Sequence, residues 1–111
     1  MRDSGVDDPL EQEVRELTDL LRHADSFEGL RGALAERGVI ASETILAGLI
    51  ESEDESRFGV LLVATGECIL FEANQADSFT RWERVDDIAS LKDRFRAVSV
   101  GRSLQRLGRI P

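Results

Sequence analysis

The residues able to do chemistry in this chain are few, and they stand alone. His23 is the only histidine and Cys68 the only cysteine. A Cys–His nucleophile needs thiol and imidazole in contact, with a third group to orient the base. His23 falls about 220° around a helical wheel from Leu10, off the apolar stripe that begins there. It follows Asp19 by four residues, a spacing that suits a solvated helical pair. Cys68 lies in an apolar run and shares a face with Leu70 on a two-residue period. It reads as a buried, inert thiol.

Other chemistries find equally little. No serine sits in a G-x-S-x-G turn. Gly29, Gly32 and Gly38 fall within or just after a helical pattern, so no phosphate-cradling loop between strand and helix is expected. Glu51, Glu53, Asp54 and Glu55 crowd one connection, but they lack the alternating ligands, central glycine and terminal glutamate of a calcium loop. They read as a solvated hairpin tip. Asp86-Asp87 reads as a turn or cap. The expectation is therefore a protein that is not an enzyme, with no catalytic residue, no metal ligand and no cofactor.

Contact chemistry is what remains. The segment FTRWERV alternates Phe79, Arg81 and Glu83 against Thr80, Trp82 and Arg84. An arginine stacked beside Trp82 would make an anchor of the kind that dominates protein interfaces. The competing reading makes Trp82 a large core residue on an inward face. Phe79, Arg81, Trp82 and Arg84 are the expected partner contacts.

The elements that must position these residues follow from the apolar pattern. Residues 1–7 read as a disordered lead and residues 8–111 as a single domain, within the usual size range. Asp8 and Pro9 open a helix as cap and first residue, with Glu11 to complete a capping box. Leu10, Val14, Leu17, Leu21 and Ala24 make one narrow apolar stripe. Ser26 looks like a second cap, ahead of Phe27, Leu30, Ala33 and Leu34, and Gly38 is a helix stop. Residues 43–51 could place Ile45, Leu46, Leu49 and Ile50 on a helical face; Thr44, Ile45, Ile50 and the mid-run Gly48 favour a strand. Residues 58–64 and 68–73 are strands joined by a turn at Gly66. Neither alternates, so both faces are expected to be covered. Residues 79–85 are a half-buried strand, 88–91 and 96–100 further strands, and 101–107 a short helix. The class is α+β: two N-terminal helices followed by a mostly antiparallel, curved sheet or split barrel of about five or six strands.

Charge narrows the partners. The net charge is −8. Residues 1–56 hold 15 acids against 5 arginines, whereas residues 92–111 hold 1 acid against 6 basic residues. Such a surface repels nucleic-acid phosphate and disfavours anionic lipid. The basic tail, with Arg102, Arg106 and Arg109, is expected to fold back on the acidic half or onto a neighbouring subunit, with a polyanion site as the alternative. No stretch approaches a membrane span of roughly 20 apolar residues. The N-terminus MRDSGVDDP lacks the apolar segment of a secretory signal. A cytoplasmic location is expected, since one cysteine forms no internal disulfide.

The pieces ETILAGLIE, FGVLLVAT, GECILFEA and FTRWERVDDIASL, over residues 43–91, resemble the front half of a bacterial pleckstrin-homology-like, GRAM-type domain. Cys68 stands where that family usually has an arginine, and its long closing helix is short or missing here. The resemblance implies a split barrel that binds lipids, peptides or proteins and is not catalytic. Phosphoinositide binding is rejected, because Glu51, Glu53, Asp54 and Glu55 occupy the loop where head-group binding needs basic residues. The expected function is a small non-enzymatic module that self-associates, as a homo-oligomer, or binds a protein partner. The alternative is an acidic inhibitor or immunity-type protein that meets a basic partner through its N-terminal half.

Overall fold

The structure is a computed structural model that describes residues 9–110. The expected lead at 1–7 and the Asp8 cap lie outside the described residues. Helix α1 spans Pro9–His23, with Glu11 in its first turn and Arg22 in its last, charges that suit the helix dipole. It buries Val14, Thr18 and Leu21. A single 3₁₀ turn, Asp25–Phe27, leads into α2, Glu28–Glu36. No side chain caps α2, so Ser26 does not have the capping role its type suggested. Gly38 ends the helix at φ +80°. Its N–H reaches the Ala35 carbonyl, and the Val39 N–H reaches the Leu34 carbonyl, both at 3.0 Å, as in a Schellman motif.

Four strands follow: β1 Ile45–Glu51, β2 Arg57–Leu62, β3 Cys68–Ala73 and β4 Phe79–Val85. They pair antiparallel in the order β1-β2-β3-β4, an open meander. The β2–β3 hairpin sets Val60 opposite Leu70 and Leu62 opposite Cys68. Gly66 turns it at φ +95°, and the Val63 N–H closes the turn on the Glu67 carbonyl at 3.0 Å. Both faces of the hairpin are buried, which is why neither strand alternates in sequence. On one face Ile45, Val60, Leu62 and Leu70 pack with Phe95, Val98 and Leu104; on the other Leu46, Leu61, Ile69 and Phe71 pack with Phe27, Leu30 and Leu34. Helix α1 sits over β1 and serves both, giving Val14 to the first cluster and Leu21 to the second.

The sheet has four strands and stays open, where about five or six strands, and in one form a split barrel, were expected. Ile88–Leu91 is a 3₁₀ turn, started by the Ala89 N–H donating to Asp87 Oδ1 at 3.1 Å. Residues 96–100 lead into a third helix, α3, Val98–Arg106. The reason is spacing: Val98, Gly101 and Leu104 recur every three residues and are buried together against the sheet. Gly101 lets α3 come close, since a β-carbon there would stand 3.1 Å from the Ala47 β-carbon.

Candidate functional site

The lone thiol and the lone imidazole are not brought together. Cys68 is 1% exposed inside the core that α3 covers, and burial pushes its thiol above the usual range, with Arg102 pulling weakly the other way. The His23 side chain is 73% exposed at the end of α1, with Nε2 3.9 Å from Asp19 Oδ1. The acidic connection is internally bonded: Asp54 Oδ1 accepts from the Ser56 hydroxyl at 2.7 Å and from its N–H at 3.1 Å. The Ser56 hydroxyl bond, then the N–H, holds the Asp54 carboxyl below its ordinary range. Glu51 pairs with Arg57 at 3.2 Å. Among the described residues no cluster of His, Cys, Asp or Glu is placed to hold a metal ion. No described helix is long and apolar enough to cross a membrane.

What distinguishes this molecule is the unequal treatment of its two sheet edges. An edge strand presents a row of unpaired N–H and C=O groups. At the start of β1 two such groups have partners on α1. The Leu46 N–H donates to the buried Thr18 Oγ1 at 3.1 Å. Arg22 donates through Nη2 and Nε to the Thr44 carbonyl, at 3.1 and 3.3 Å. Burial lowers the Arg22 pKa from its ordinary value, the cost of drawing a cation in toward that carbonyl. At β4 the arrangement is different. Its one strand neighbour is β3, and among the described residues no helix or side chain is hydrogen-bonded along its outer side.

β4 is the strand that carries the expected contacts. Its first residue is separated from the rest by a register shift: Phe79 lies opposite Ala73, and Arg81 opposite Glu72. That bulge keeps Phe79 on the same face as Trp82, where both pack on the α2-side core. Their rings meet edge to face, with centroids 4.9 Å apart. Arg84, opposite Ile69, shares this face. Arg81 points the other way, toward the Phe58 ring at 5.5 Å, and pairs with Glu83 on its own strand. So three of the four expected residues converge and Arg81 does not. The cation stacked on Trp82 is neither Arg81 nor Arg84. It is Arg37, 4.7 Å from the Trp82 ring and 4.9 Å from Phe79.

Trp82 and Arg84 also wall a half-open groove of about 480 Å³ between the α2–β1 connection and the β2–β3 turn. Val39, Ile40, Val63 and Ile69 supply its apolar lining. Ile40 is 55% exposed, a large apolar side chain left uncovered at the rim. Glu67 also lines it and accepts from Arg84 Nη1 at 2.9 Å. That bond holds the Glu67 carboxyl below, and the Arg84 guanidinium above, its ordinary range. Arg37 and Ile40 were missed from sequence because they belong to a connection and reach β4 only through the fold. The one local signal was the Gly38 stop, which releases the chain from α2 beside them. The groove is thus electrically balanced, with Arg37 and Arg84 against Glu43 and Glu67, and reaches β4 through Trp82 and Arg84. In comparison with known proteins, no family model, no curated protein and no solved structure matches this chain.

Proposed function

We propose that this protein is a small, non-enzymatic interaction module that takes a protein partner, or a copy of itself, along the outer edge of β4 and the groove beside it. One observation carries the reading: α1 hydrogen-bonds the start of the β1 edge, whereas among the described residues nothing is hydrogen-bonded along the outer side of β4. A bare edge accepts an added strand through main-chain hydrogen bonds, and neighbouring side-chain pockets supply selectivity. Trp82, half-buried with Arg37 stacked on it, is a rigid aromatic anchor of the type that dominates interface energetics. A non-catalytic binding role is also what the pleckstrin-homology-like resemblance implies. A single reduced cysteine suits a cytoplasmic setting.

The acidic-inhibitor reading has its own supporting observation: Glu13, Glu16 and Asp19 stand exposed on α1, and Glu28 and Glu36 on α2, away from the sheet. One experiment separates the two. A photo-crosslinking benzoyl-phenylalanine is placed at Thr80 on β4, and in a second strain at Glu13 on α1, in the native cells. Covalent adducts from Thr80 and none from Glu13 are expected. Adducts from Glu13 alone, lost when lysates are crosslinked at high salt, support the acidic inhibitor instead. Adducts from neither position overturn the interaction reading.

A further inference from the structure

Resting on that reading, we infer that the occupant of the β4 edge is a second copy of this chain, its β4 laid antiparallel on the first with Trp82 facing Trp82 across a two-fold axis. Directly opposed residues of an antiparallel pair share a sheet face. Two identical strands can therefore meet about Arg81, about Trp82 or about Glu83 without turning a face inside out. Pairing about Arg81 sets Arg81 against Arg81, and pairing about Glu83 sets Glu83 against Glu83. Pairing about Trp82 sets Arg81 against Glu83 twice, and Thr80 against Arg84 twice. Trp82 is also the middle residue of Phe79–Val85, so this register brings Thr80–Arg84 of each copy alongside the other, with Phe79 left outside by its bulge. Charges on an edge strand ordinarily blunt indiscriminate pairing. Here their order leaves one self-complementary register and penalises its neighbours. The result is an eight-stranded sheet with both Trp82–Phe79 clusters and both grooves on one face, an isologous C₂ interface.

Arg81 and Glu83 already pair within one chain, so a plain charge deletion would not separate the two roles. Complementation does. Arg81→Glu sets glutamates against each other both within and between chains. Glu83→Arg does the same with arginines. A mixture of the two variants leaves each intrachain pair repulsive, yet every interchain pair becomes Glu opposite Arg. The measurement is light scattering on purified protein over a concentration series at about 0.15 M salt, where screening over about 8 Å limits repulsion between copies of charge −8. Circular dichroism checks that each variant folds.

The expected results are a wild-type dimer of twice the 12.3 kDa chain mass, single variants weakened on the order of ten- to a hundredfold, and recovery of the dimer in the mixture. A monomeric wild type overturns self-pairing; the broader interaction reading then stands or falls on the mass of the Thr80 adduct in cells. A wild-type dimer that R81E leaves intact, or a mixture no tighter than its components, overturns the register. Should the charge reversals not fold, the exposed Thr80 and Arg84 read the register instead: under oxidation a mixture of Thr80→Cys and Arg84→Cys chains forms a disulfide-linked dimer faster than either variant alone if the register holds, and a mixture no faster than its components overturns it.

Discussion

Replacing Thr18 by valine tests how α1 seals the β1 edge. The two side chains have nearly the same shape, so the change removes one oxygen and opens no cavity. That oxygen accepts from the Leu46 N–H at 3.1 Å, and Thr18 is only 3% exposed, so water cannot take its place. A buried amide left without a partner costs about 1–3 kcal/mol. Helix propensity contributes little, because threonine and valine rank together. With a urea slope of roughly 1–3 kcal/mol per molar for a domain of this size, the unfolding midpoint of T18V should fall by about 1 M. Thr18→Ser is the informative control, since it keeps the acceptor and loses a methyl group. Amide exchange separates the two: T18V should accelerate exchange at Leu46, and T18S should leave it protected. A T18V midpoint equal to wild type, with Leu46 still protected, would refute the hydrogen-bonded seal.

Three further outcomes follow from the packing and the ionised groups. A β-carbon at Gly48 would run into the Phe95 ring, so Gly48→Ala should cost about 1–3 kcal/mol by overpacking. Adding Phe95→Leu should recover part of that, read as coupling in a double-mutant cycle; strict additivity would contradict the contact. Burial raises the Cys68 thiol, so the folded state holds that proton more tightly than the unfolded state. The stability this gives is complete below the ordinary thiol range and is lost as pH rises through it toward the raised value. Urea midpoints from about pH 7 to about pH 10 should therefore drop more steeply in wild type than in Cys68→Ala, and parallel curves would contradict the buried thiol. Arg84 holds the Glu67 carboxyl low, so that contribution is present above the ordinary carboxylate range and is lost as pH falls through the lowered value. In an NMR titration Arg84→Gln should move the Glu67 midpoint up, and an unmoved midpoint would contradict the pair.

The parts of the fold legible in sequence were those whose partners lie nearby in the chain. The β2–β3 hairpin announced itself by two apolar runs around Gly66, and their lack of alternation correctly implied a sheet covered on both faces. β1 was recognisable as a strand from its β-branched residues despite a competing helical face. Residues 88–100 misled because short apolar runs look alike as strand and helix. The helical stripe there begins at Val98 and passes through Gly101, where the short helix was expected to start and where α3 packs against Ala47 of β1. The candidate site was half legible. Trp82 and Arg84 stand in a strand whose composition drew attention, whereas Arg37 and Ile40 meet them only once α2 is folded onto the sheet. The difference between the two edges was invisible, because it depends on Thr18 and Arg22 reaching β1 across more than twenty residues of chain.

Amide hydrogen exchange on the wild-type protein, read strand by strand in dilute and in concentrated solution, tests the sealed and open edges together. The expected result is a β1 protected at both concentrations and a β4 whose outward amides exchange quickly when dilute and become protected when concentrated. A β4 whose protection is the same at every concentration, or a β1 that gains protection alongside it, would contradict the assignment of β4 as the pairing edge.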